Sequence, residues 1–102
     1  MRRRIMAGNW KMYKTVQQSV AFFHHFLPLV ADVDKCDVVI FPTFVNLAAS
    51  VEAVTGTTLQ IGGQALPWET EGAFTGEVYA EMLTAVRCLW TLLGHSERRQ
   101  YW

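Results

Sequence analysis

Apolar residues along this chain follow two patterns, short continuous runs and positions spaced at the helical interval. The first run, Ile5-Met6-Ala7-Gly8-Asn9-Trp10, predicts a strand ending in a polar turn. Val16, Val20, Phe23 and Leu27 then recur at helical spacing, which predicts a helix over residues 16–27. Gln17, Gln18, His24 and His25 fall mostly on its wet side, and Pro28 should end or kink it. Val38-Val39-Ile40-Phe41, stopped by Pro42, has the pattern of a strand covered on both faces. A second helix is expected over residues 46–54 with a stop near Gly56, and a third strand over residues 58–63.

Gln64 and Glu77 bound a stretch punctuated by Pro67, Gly72 and Gly76, longer than most connections, and such loops usually carry function. A third helix is expected over residues 80–86 and a fourth buried strand over residues 89–93. The order βαβαβαβ predicts an α/β fold with a parallel sheet and right-handed crossovers. Four such strands with helices on one side do not close. A barrel needs about eight strands, and a doubly wound sheet needs helices on its other face. The pattern is half of a larger architecture, a single incomplete domain over residues 1–102.

Composition narrows the class. Hydrophobic residues are 51% and charged residues 18%, which excludes a disordered tail. Nine Lys/Arg balance nine Asp/Glu, so no concentrated positive field invites a nucleic acid or an anionic membrane. No apolar run is long enough to span a bilayer. Arg2-Arg3-Arg4 has the charge of a signal n-region, but Asn9, Lys11 and Lys14 interrupt what would be its apolar core. A soluble protein is expected. Cys36 and Cys88 form no CxxC pair and have no His at zinc spacing, so they read as reduced packing thiols. Four Trp and six Phe are many for a chain whose interior is this small.

Three segments carry a resemblance: Gly8-Asn9-Trp10-Lys11-Met12 after the first strand, Gly72-Ala73-Phe74-Thr75-Gly76-Glu77 in the long loop, and Gly94-His95-Ser96-Glu97-Arg98-Arg99 after the fourth strand. In this order, at these element ends, they closely resemble the N-terminal part of the triosephosphate isomerase family, and the similarity runs from Ile5 to the end of the chain. The resemblance implies half of a (β/α)8 TIM barrel, strands one to four of a fold of about 250 residues. It implies interconversion of dihydroxyacetone phosphate and glyceraldehyde 3-phosphate through an enediolate in glycolysis and gluconeogenesis, without cofactor or metal, in a cytoplasmic homodimer.

The same resemblance implies roles for individual residues. Lys11 would face the substrate, where an ammonium attracts the phosphate dianion and stabilises charge on the reacting oxygens; otherwise it is a solvated surface lysine. Asn9 would be the neighbouring active-site asparagine, a role compatible with an ordinary turn residue bonding its own backbone. His95 would open a helical turn after a buried strand, near backbone N–H groups that favour a neutral imidazole able to polarise a carbonyl; this family is itself a standard illustration of such tuning. Ser96, Glu97 and Arg98 would support these groups, with Glu97 beside Lys11 and Arg98 paired to Glu77. Thr75 would reach a partner subunit and brace its asparagine, lysine and histidine, so the loop is expected to be a dimerisation arm with Gln64 at its base. Trp10, Trp68, Phe74 and Trp90 read as packing groups.

The family's glutamate base ends its sixth strand, and its phosphate-gripping loops follow strands seven and eight. None of the nine carboxylates here matches that base, and losing general-base catalysis costs of order 10²–10⁴-fold. The 102 residues alone are therefore expected to be inactive or nearly so. Two positions depart from the family pattern. Tyr79 stands where a capping serine is usual, and Arg87 stands where glycine usually closes the third helix, a costly place for a side chain if the backbone there is left-handed. The alternative reading is a non-catalytic half-barrel module that self-assembles through the Gln64–Glu77 loop or through its open sheet edges.

Overall fold

Val38, Val39, Ile40 and Phe41 are buried on alternating sides of one strand, and the rest of the molecule is arranged around it. The computed structural model describes residues 4–66, 71–73, 77–78 and 80–92. In chain order these form β1 (Arg4–Asn9), α1 (Val16–Val30), β2 (Cys36–Phe41), a 3-10 turn (Phe44–Asn46), α2 (Leu47–Val54), β3 (Gln60–Gly63), α3 (Ala80–Ala85) and β4 (Trp90–Thr91). The strands pair in the order β1-β2-β3-β4, every pair parallel. The expected α/β alternation and open parallel sheet are what the chain forms.

The core lies between sheet and helices. Val38, Ile40 and Ile61 meet Phe23 of α1, Leu47 and Val54 of α2, and Leu83 of α3, with Leu59 and Cys88 closing the cluster. Trp10 packs against Phe22 edge-on at 5.2 Å and against Phe23 in a stack at 5.6 Å, and Phe22 stacks on Phe26 at 4.9 Å. Each such pair adds about 0.5–1.5 kcal/mol beyond area burial. Part of the aromatic surplus is spent there. Another apolar share stays outside: Ile5 and Met6, on opposite faces of edge strand β1, are 55% and 60% exposed.

Several expectations change. Pro28 does not end α1, which runs on to Val30. Proline removes one N–H near the helix end, and so few residues follow it that the lost bond is tolerated. The second helix opens with a 3-10 turn, and α2 proper starts at Leu47. The third strand begins at Gln60, because the Thr57 hydroxyl accepts the Leu59 N–H and holds the approach as a turn. The fourth strand is shorter than expected and not buried: Leu89 is 76% exposed, and Trp90 and Thr91 are half-buried. Among the described residues it has only β3 beside it.

Two backbone positions shape the sheet. Gly62 pairs with Trp90, and a Cβ on it would lie 2.6 Å from Phe41 Cδ1 and 2.8 Å from Trp90 Cβ. Only glycine lets the Phe41 ring cross there. Arg87 ends α3 at φ 64°, so the left-handed backbone suspected at that position is present without glycine. Cys36 and Cys88 are free thiols. Burial pushes the Cys88 thiol above the usual range, against smaller opposing effects of hydrogen bonds to Trp90 and Gly63.

Candidate active site

Parallel strands in register bring their C-terminal ends to one rim. Asn9 pairs with Phe41, and Gly63 pairs with Thr91. Two bonds extend these ladders by a residue: Trp10 N–H donates to the Phe41 carbonyl at 3.1 Å, and Leu92 N–H to the Gly63 carbonyl at 2.8 Å. The C-terminal ends of β1, β2, β3 and β4 therefore lie along the same side of the sheet, where open α/β sheets place their ligands.

At that rim the segment after β1 is held in an unusual shape. Asn9 Oδ1 accepts the Lys11 N–H at 2.8 Å, closing a side-chain turn that reverses the chain. Lys11 adopts φ 55°, a left-handed conformation that costs a non-glycine residue roughly 1–2 kcal/mol. From the end of β3, Gln64 Nε2 donates to the Lys11 carbonyl at 2.7 Å and to the Phe41 carbonyl at 2.9 Å. One side chain thus ties the ends of β1, β2 and β3 together. Asn9 and Lys11, expected at the site, and Gln64, expected as the base of a dimerisation arm, are joined by these bonds.

The segment continues through Met12, 90% exposed, to Lys14 at φ 75°. The Lys14 ammonium lies 5.4 Å from the Trp10 ring centroid and 5.5 Å from that of Phe22, within cation–π range. Asn46, fully buried at the start of α2, donates from Nδ2 to the Lys14 carbonyl and to Thr43 Oγ1, both at 2.8 Å. Thr15 then caps α1: its hydroxyl accepts the Gln18 N–H at 3.2 Å while Gln18 Oε1 accepts the Thr15 N–H at 2.9 Å. The turn from β1 into α1 is pinned from end to end.

Glu77 is half-buried ahead of α3. Thr75, His95, Ser96, Glu97 and Arg98 lie outside the described residues, as do Tyr79, Trp68 and Phe74. His24 and His25 are exposed on α1. Sequence reasoning missed Asn46, read only as the start of a helix, and missed the Thr15–Gln18 capping box. The second was legible, since threonine followed three residues later by glutamine before an apolar run is a helix-start signature. The reach of Asn46 back to Lys14 spans 32 positions and has no local signal.

Four parallel strands alternating with three helices among the described residues, whose strand ends gather a lysine and two carboxamides on one rim, define a (β/α)-barrel protein, seen over four of its strands. A family model described as triosephosphate isomerase matches residues 4–102. A triosephosphate isomerase of Solibacter usitatus is 54% identical over 99% of this chain and 41% of its own length. One of Clostridium perfringens is 48% identical over 99% of this chain and 40% of its own. The crystal structure of a triosephosphate isomerase from Bartonella henselae superimposes with a TM-score of 0.86 at 28% identity, covering 95% of this chain and 40% of that one. The chain belongs to the triosephosphate isomerase family. It spans about two fifths of the length of the relatives it matches. Among the described residues no helix is long and apolar enough to cross a membrane.

Proposed function

We propose that residues 1–102 are the N-terminal, incomplete part of a triosephosphate isomerase barrel. The complete protein interconverts dihydroxyacetone phosphate and glyceraldehyde 3-phosphate through an enediolate, in cytoplasmic glycolysis and gluconeogenesis, with no cofactor. The observation that carries this is the Lys11 turn, held in left-handed backbone by Asn9 and Gln64 at the C-terminal rim of the sheet. Backbone strain held at a strand end by side chains from two different elements points to a preorganised site.

In this reading Lys11 supplies positive charge to the substrate's phosphate and to the oxygens that gain charge in the enediolate, and Asn9 fixes the turn. His95, which follows β4 in the sequence, donates a hydrogen bond to the substrate carbonyl. Ser96, Glu97 and Arg98 orient these groups, with Arg98 paired to Glu77. Thr75, in the loop that begins at Gln64, reaches the partner of a homodimer. The general base and the phosphate-binding loops belong to the remaining strands of the barrel.

The test is a coupled assay of triose phosphate isomerisation on the 102-residue chain, alone and after mixing with a separately produced C-terminal portion of the Solibacter usitatus relative. Activity that appears only on mixing is the expected result. A stable self-assembled oligomer of this chain that ignores the added portion would favour a non-catalytic half-barrel module instead, a reading supported by exposed Ile5 and Met6 on edge strand β1.

A further inference from the structure

Two residues of the β1–α1 turn, Lys11 and Lys14, are left-handed without being glycine. Each has its carbonyl gripped by a side-chain amide from a distant element: Gln64 on Lys11 and Asn46 on Lys14. The two grips share a design. An amide nitrogen carries two protons, and in both cases the second proton is fixed near the end of β2, on the Phe41 carbonyl by Gln64 and on the Thr43 hydroxyl by Asn46. Asn46 is fully buried, yet its Oδ1 has no hydrogen-bond partner. A buried orphan oxygen is costly. Turning the amide over would leave the Thr43 hydroxyl able to donate to it but would set its oxygen against the Lys14 carbonyl, which can only accept, so the Lys14 carbonyl fixes its orientation.

We propose that Gln64 and Asn46 are positioning residues that act as paired clamps, holding both left-handed residues of the 11–14 turn against the end of β2 and thereby placing Lys11. A left-handed residue other than glycine is disfavoured roughly tenfold. Two in one exposed turn make that shape a minor one unless something selects it, and the amides select it. The consequence for Lys11 rests on the isomerase reading above; the clamp does not.

Hydrogen exchange across the turn tests the clamp. Asn46→Asp keeps the volume and a good helix cap but removes the donor, and Gln64→Met keeps the length but removes both donors. Each variant should speed exchange of the Lys11 N–H about tenfold, leaving Val39 and Ile40 of β2 within twofold of the unaltered protein. Adding Lys14→Gly to Asn46→Asp should restore protection to within about threefold, because glycine accepts positive φ without help. Unchanged exchange in the turn overturns the proposal. So does equal acceleration through β2, or a loss that Lys14→Gly fails to repair; either makes Asn46 an ordinary packing residue. In the completed barrel, kcat/KM should fall about tenfold in Asn46→Asp and recover with Lys14→Gly. If the unaltered completed barrel shows no isomerisation, the functional reading fails, and the exchange data still decide the clamp.

Discussion

Arg87→Gly should stabilise the protein, an unusual result for replacing an arginine by glycine. Arg87 follows α3 at φ 64° and is exposed. Its N–H donates to the Thr84 carbonyl at 2.9 Å, and the next N–H, that of Cys88, donates to the Leu83 carbonyl at 2.8 Å. Those two bonds are the Schellman ending of a helix, whose left-handed position normally belongs to glycine. Removing the Cβ there relieves roughly 1–2 kcal/mol of left-handed strain. Glycine's extra freedom in the unfolded chain takes back about 0.5–1 kcal/mol. The net gain is about 0.5–1 kcal/mol, which for a domain of this size raises Tm by about 2–8 °C. Thermal unfolding followed by circular dichroism measures it, with Arg87→Ala as the control: alanine keeps the Cβ and the strain, so its Tm should stay near that of the unaltered protein. A Tm that falls or stays fixed in Arg87→Gly, or rises equally in Arg87→Ala, refutes the reasoning.

The other predictions follow from the same packing. Gly62→Ala forces a Cβ against Phe41 and Trp90 and should lower the urea midpoint by the equivalent of about 1–3 kcal/mol; an unchanged midpoint would show that the Phe41 ring moves freely aside. Thr15→Ala removes the α1 cap and should cost about 1 kcal/mol in the same titration. Burial keeps the Cys88 thiol protonated to higher pH than in the unfolded chain, so the unfolded state releases its proton first. Stability from this group is complete below the unfolded value and falls as pH rises above about 8.5. Cys88→Ala should flatten that alkaline slope between pH 8 and pH 10, and an undiminished slope would assign it to other groups. In the completed barrel, Lys11→Met should reduce kcat/KM at least a hundredfold, as expected for loss of a charge aimed at the reacting oxygens; activity within tenfold would remove Lys11 from the site.

Much of this was legible in the chain because burial imposes a period. The continuous run Val38–Phe41 reads as a strand covered on both faces and is one. Phe23 is fully buried on α1 with Leu27 half-buried beside it, although Ser19, also fully buried, breaks the apolar rule by donating its hydroxyl to the Thr15 carbonyl at 2.8 Å. Burial at the edges was misjudged for a physical reason. The Leu89–Leu93 run carries the composition of an interior strand, but interior status depends on the neighbours beside it, and among the described residues β4 has β3 alone. Asn9 and Lys11 were expected at the end of β1 because local motif and strand end coincide, and β1 does end at Asn9. Asn46 was not, since a hydrogen bond across 32 positions leaves no periodic trace in either segment. Thr75 and His95 lie outside the described residues, and their place in the site rests on the family resemblance.

The most direct test of the central claim is an electron-density map of the assembled barrel with a triose phosphate bound. The account predicts that Lys11 Nζ and the His95 imidazole both lie about 3 Å from oxygens of that one ligand, with the Gln64 amide still on the Lys11 carbonyl. A map that seats the ligand elsewhere, or sets Lys11 and His95 on separate surfaces, would contradict it.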